Sequence, residues 1–242
     1  MTYKDLLTQP KHDMLQKKIG KASSRNIDKT GVFYHVITKS SNGDGIFMTK
    51  GAGEYRHTLL CRLCEERGIT ILFSVTMPTH THDVFLTPDW RLLCEVLGIL
   101  DTNVSKFIRK NNPQRYTRGT KPLRRHPVYI VVRDILYLMV LGKYIYENMA
   151  GIRKENRFVP HECFWMLRSG HLPDGYDEKL YPVLFGMSMQ ELYELYSNKT
   201  KQEVYDYACK VASGWSKKKT EAIFFKEKSQ TVRILESTGP SK

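Results

Sequence analysis

Two histidines separated by one residue, His80-Thr81-His82, follow Met77-Pro78-Thr79 and an apolar run from Ile69 to Val75. Side chains alternate between the faces of a strand, so a strand returning from Pro78 through Thr81 to Thr87 carries both imidazoles on one face. Asp83 then falls on the other. Two neighbouring imidazoles are half of a metal site, since imidazole is the commonest protein ligand for divalent metals. An ordinary half-buried histidine pair has the same spacing, so the surroundings must decide.

A second chemically suggestive stretch is residues 106–125, which hold Lys106, Arg109, Lys110, Arg115, Arg118, Lys121, Arg124 and Arg125 without one acidic residue, and enclose Tyr116. Cations interleaved with an aromatic ring suit a phosphate backbone and a stacked base. The plainer alternative is a solvated basic loop.

The elements that must position these residues are legible in outline. A strand is expected from Gly31 to Lys39, a Gly/Asn/Asp loop from Ser41 to Gly45, and an amphipathic helix from about Gly53 to Arg67. Strands over 69–76 and 80–87 follow. Pro88-Asp89 marks a second helix with an apolar stripe at Leu92, Leu93, Val96, Leu97 and Leu100; Gly98 and Asp101-Thr102-Asn103 predict a break before Val104-Ser105 restarts it. His126-Pro127 opens a strand from Val128 to Arg133, which completes βαββαβ.

That order specifies an α+β fold, a ferredoxin-like antiparallel sheet with helices packed on it. Ile135 to Ala150 reads as a helix, Arg157 to Gly175 as an irregular link, and 188–212 as two helices divided near Ser197-Asn198. The expected division is a basic N-terminal arm (1–27), a central domain (28–156) and a helical C-terminal extension (157–242).

Composition narrows the function classes. The formal charge of +13 comes from 38 Lys and Arg against 25 Asp and Glu, an excess suited to a polyanion such as nucleic acid. Apolar stretches such as Val128 to Val132 are too short to span a bilayer, and Met1 to Leu15 is too polar for a signal peptide, so no membrane partner is expected. Five scattered cysteines (Cys61, Cys64, Cys94, Cys163, Cys209) fit a reducing cytoplasm better than a disulfide framework. Cys61-x-x-Cys64 lies within a helix and lacks a second pair, so buried helix-face thiols are the better reading than zinc.

The blocks Tyr34-His35-Val36, Ile46-Phe47, Met77-Pro78-x-His80-x-His82, Arg115-Tyr116-Thr117-Arg118 and Tyr144-Ile145-Tyr146-Glu147-Asn148 occur here in an order that resembles the IS200-like and REP-associated tyrosine transposases of the HUH single-strand nuclease class. The resemblance runs from Val32 to Met149. It implies DNA binding, a divalent metal (Mg²⁺ or Mn²⁺) on His80 and His82, and a tyrosine nucleophile, for which Tyr116 matches the family's position. Arg115, Arg118, Arg124 and Arg125 would position phosphates. It also implies a single-stranded or hairpin DNA substrate, nicked and rejoined through a 5′-phosphotyrosine, and a bacterial, nucleoid-associated setting. Family members act as monomers or dimers, which leaves a homodimer open.

The chain departs from the family in three places: Thr81 stands where an apolar residue is usual, Pro113 and Gly119 interrupt the helix expected to carry Tyr116, and Thr120 occupies the usual place of a third metal ligand. Two further readings therefore stand beside the first. One is a catalytically degenerate single-stranded DNA or RNA binding protein on the same fold; the other is a hydrolytic metalloenzyme that uses the histidines with water. His35 reads as a packed core residue, Tyr144 and Asn148 as a helix-face aromatic and a helix-end residue, and Trp90, Trp165 and Trp215 as packing residues.

Overall fold

A computed structural model describes residues 32–87, 89–117, 119–124, 126–154 and 175–225. The expected N-terminal arm, the link over 157–174, Arg118 and Arg125 lie outside the described residues.

Four strands, β1 (Phe33–Lys39), β2 (Thr70–Thr76), β3 (His80–Leu86) and β4 (Val128–Val132), form one antiparallel sheet in the order β2-β3-β1-β4. With α1 (Ala52–Glu66) between β1 and β2, and α2 (Trp90–Asn111) between β3 and β4, this is the ferredoxin-like βαββαβ arrangement. The two central strands are β1 and β3, so the histidine-bearing strand is braced on both sides.

Alternation along the strands builds two cores. Tyr34, Val36, Ile71, Phe85 and Tyr129 point toward α1 and α2, whereas Phe33, Phe73, Val75, Val84 and Val132 point to the other side. That second side is covered by α3 (Ile135–Lys154) and by the C-terminal helices α4 (Leu180–Phe185), α5 (Met189–Asn198), α6 (Lys201–Ser213) and α7 (Lys217–Phe224). Tyr181 Oη donates to the carbonyl of Leu72 (2.7 Å), tying α4 to β2, and Phe224 of α7 packs on Phe33 of β1.

The expected break within the second helix does not occur: α2 is continuous for 22 residues. Its stripe Leu93, Val96, Leu97, Leu100, Val104 and Ile108 is fully buried, and burial of each large side chain contributes about 1.5–3 kcal/mol against about 1 kcal/mol for one helical glycine. Asp89 caps the start by accepting from the amides of Arg91 and Leu92. The helix ends at Asn111, and residues 112–117, Pro113 and Tyr116 among them, form a turn, so Tyr116 is not on a helix.

α3 approaches α5 closely. A Cβ at Gly142 would stand 2.5 Å from Tyr196 Oη, and that hydroxyl donates to the carbonyl of Met139 (2.9 Å). Lys143 Nζ donates to the carbonyls of Tyr196 and Lys199 (2.6 Å each), satisfying groups that the end of α5 leaves open. α5 and α6 each begin with a capping box, Ser188 with Glu191 and Thr200 with Glu203. Cys61 and Cys64 are both buried on α1, and burial pushes the Cys64 thiol well up. Among the described residues no helix is long and apolar enough to cross a membrane.

Candidate functional site

His80 and His82 emerge on the α3 side of β3, and Thr81 and Asp83 on the α1 side, as alternation requires. The imidazole centroids of His80 and His82 lie 4.9 Å apart with the rings nearly perpendicular. Register aligns His80 with Lys39 and His82 with Ile37 on β1, which brings His35, two residues earlier, diagonally across to His82.

His35 Nε2 and His82 Nδ1 are 3.0 Å apart, both side chains almost fully buried. Two neutral imidazoles at this distance share one proton. If His82 Nδ1 holds it and donates to His35, then His82 Nε2 presents a lone pair. That Nε2 is buried without a hydrogen-bond partner. His80 Nδ1 is held by Thr79 Oγ1 at 2.9 Å.

Burial lowers the His82 pKa well below the ordinary histidine value, with His35, His80 and Lys39 acting in the same direction. Burial and then Lys39 lower that of His80. Both rings are thus kept neutral, the form that ligates a metal. An unpartnered buried ring nitrogen beside a second neutral imidazole fits a divalent ion. Among the described residues no group of three or more His, Cys, Asp or Glu is arranged to hold one.

The histidines open into a groove of about 300 Å³ lined also by Lys39, Ser40, Thr79, Arg124 and Tyr144. Tyr144, from α3, meets His82 edge to face with centroids 5.2 Å apart. One helical turn on, Asn148 has its buried Nδ2 without a hydrogen-bond partner. Lys39 and Arg124 add positive charge beside the rings. Arg124 is fixed there because its amide donates to the Lys39 carbonyl (2.8 Å) and its Nε to the Ser40 carbonyl (3.2 Å).

Tyr116 is elsewhere. It belongs to the core under α1 and α2, which also holds Ile46, Phe47, Leu123 and Tyr129, on the opposite face of the sheet from the histidines. Only 4% of it is exposed, and its buried hydroxyl has no hydrogen-bond partner. Burial raises its pKa, against a smaller lowering by Arg115. Arg115 pairs with Asp44 (2.8 Å), and Thr120 contacts Thr117 at the surface.

Of the residues singled out from sequence, the fold therefore assembles His80, His82 and Arg124, and does not bring Tyr116 to them. Tyr144 and His35, set aside as packing residues, are the neighbours that sequence reasoning passed over. The signal for Tyr144 was present in its spacing from Asn148, i and i+4 on one helix face. Comparison with models of known families, with curated proteins and with solved structures finds no significant match to this chain.

Proposed function

We propose that this protein nicks and rejoins single-stranded or hairpin DNA, in the manner of the IS200-like and REP-associated tyrosine transposases it resembles, with Tyr144 rather than Tyr116 as nucleophile. The observation that carries this reading is the contact of Tyr144 with His82 across a groove that also holds His80, Lys39 and Arg124. Asn148 stands one turn beyond Tyr144, where that family commonly has a third ligand.

The chemistry follows from these residues. A phenol is a weak nucleophile at neutral pH, so the step depends on cations that offset the negative charge gathering on the phosphate as the oxygen attacks. Lys39 and Arg124 hold the scissile phosphate; Tyr144 Oη attacks phosphorus and the bond to the 3′-oxygen breaks. The proton that the phenol loses is balanced by the one that the departing 3′-oxygen gains. A 5′-phosphotyrosine keeps the phosphodiester's bond count, so a second 3′-hydroxyl can reverse the step without ATP. His80 and His82 would hold the divalent ion, Mn²⁺ matching imidazole better than Mg²⁺, and Asn148 would complete the set through its amide oxygen. Such an ion supplies charge neutralisation at a non-bridging phosphate oxygen.

A second reading, a binding protein that no longer cleaves, is favoured by the lack of a third His, Cys, Asp or Glu beside the pair among the described residues. Full-length protein incubated with 3′-labelled hairpin DNA from the flanks of its gene, with Mn²⁺ or EDTA, separates the two on a denaturing gel. A metal-dependent protein–DNA adduct, lost in Tyr144→Phe and retained in Tyr116→Phe, is the expected result. The reverse dependence overturns the nucleophile assignment, and binding with neither cut nor adduct leaves the second reading.

A further inference from the structure

A second cleft, of about 440 Å³, opens on the α2 side of the molecule between that helix, Lys121, Leu123, Arg124, His126 and Pro127, and β4. Arg109, Lys121 and Arg124 line it, and Asp101 is its one acidic group. The Asp101 Oδ1 atom is buried and has no hydrogen-bond partner. Buried polar atoms are seldom left so, and each one calls for an explanation. Arg56, whose charge influences Asp101, directs its guanidinium to Thr76, Thr81 and Asp83 instead. Burial pushes the Asp101 carboxyl up to about 7, Arg56 partly offsetting it and Asp83 adding to it.

We propose that this cleft seats one nucleotide of the bound DNA strand, with its phosphate on Arg109, Lys121 and Arg124 and an amino-bearing base edge donating to Asp101. Three observations support it independently of any cleavage. The volume lies within the range of small-molecule sites, which is about 300–1,000 Å³. The lining combines cations for phosphate with Tyr129 as an aromatic wall and a single carboxylate, the division between positioning and base-reading contacts used by nucleic-acid binders. Arg124 also lines the histidine groove, so one anchored guanidinium joins the two sites and a strand in one continues toward the other.

An ionised carboxylate accepts readily from the amino groups of cytosine, adenine or guanine, whereas thymine has no amino group and its one donor, N3–H, lies between two carbonyl oxygens that repel the carboxylate. The cleft thus discriminates by base and extends the nuclease reading above, on whose choice of DNA as ligand it rests.

Gly98 provides the test, because it lines the cleft and a Cβ there meets no atom within 4 Å. Gly98→Leu fills the space, on a helix where losing glycine also favours folding. The probes are fluorescein-labelled deoxythymidine 10-mers, unmodified or carrying one central dC, dA or dG, titrated into full-length protein at pH 8 by anisotropy. Wild type is expected to bind at least one of the substituted 10-mers about tenfold tighter than the all-thymidine strand. Gly98→Leu and Asp101→Ala should each erase that preference.

Unchanged affinity and preference in Gly98→Leu overturns the proposal, as does equal binding of all four strands by wild type. The adduct assay above is read separately: an adduct with a silent Gly98→Leu removes the cleft alone, while no adduct with a sensitive Gly98→Leu removes the nuclease alone.

Discussion

Arg56 of α1 and Asp83 of β3 form an ion pair, Nη2 to Oδ2 at 2.5 Å, with both side chains essentially buried. Thr81, which separates the two histidines in sequence, accepts from Arg56 Nη2 (3.2 Å) and donates to Asp83 Oδ2 (3.0 Å); Ser74 Oγ donates to Asp83 Oδ1 (2.7 Å). The threonine between the two histidines is therefore part of a satisfied polar network. That network locks the face of β3 opposite the histidines, and so fixes the direction in which they point.

Removing one member should be costly. Asp83→Ala leaves Arg56 as an unpaired buried charge and is expected to lower stability by about 3–5 kcal/mol in urea denaturation. Replacing both partners together with apolar residues of similar volume should cost far less. Equal losses in the single and double variants would show that the ion pair is not the stabilising element.

Tyr116→Phe should behave in the opposite way. Its hydroxyl is buried without a partner, so deleting it removes a desolvation cost, and the variant is expected to be as stable as wild type or more stable by up to about 1 kcal/mol. A loss above about 1 kcal/mol in urea denaturation would reveal a hydrogen bond at that hydroxyl.

Stability should fall in acid through the histidines. Their folded pKa values lie below the ordinary 6.5, so an unfolded chain binds protons first as pH drops. The stability this contributes is complete above pH 6.5 and is lost as pH falls through the folded values. Asp101 has the opposite sign: raised from 3.8 to about 7, it contributes fully below its unfolded value and loses that contribution as pH rises toward 7. Melting temperatures measured from pH 5 to 8 should show a shallower acid limb in His82→Gln, and a gain near pH 7 to 8 in Asp101→Asn. An Asp101→Asn curve parallel to wild type would contradict the raised carboxyl.

His35 is expected to set the tautomer of His82. Nitrogen-15 correlation spectra of the metal-free protein should show His82 protonated at Nδ1, and His35→Phe should populate the Nε2–H form and weaken Mn²⁺ binding, read by electron paramagnetic resonance, about 10- to 100-fold. An Nε2–H tautomer in wild type would mean that the proton between the rings belongs to His35.

The seat of Tyr144 depends on α3 lying close to α5. Gly142→Ala places a Cβ into Tyr196 Oη, and the forced separation should cost about 1–3 kcal/mol, measured by thermal or urea unfolding. An unchanged midpoint would show that Tyr196 yields without loss.

The sequence by itself determined the local, periodic features. Alternation put His80 and His82 on one face and Asp83 on the other, and the succession of apolar runs specified the βαββαβ sheet, because both follow from residues close together in the chain. It also marked the helices over 188–212, whose caps are local signals. Only the tertiary structure decided which tyrosine meets the histidines. The segment from Asn112 to Pro127 has no period from which to read a face, so nothing local says that Tyr116 turns inward under α2. Tyr144 reaches the groove because α3 crosses the far side of the sheet. Continuity of α2 across Gly98 was likewise settled by burial of its whole stripe, a summed hydrophobic gain that outweighs the local preference for a break. The cleft around Asp101 and the Arg56 network arise from residues far apart in sequence, and their joint burial exists only once α1, α2 and the sheet have packed.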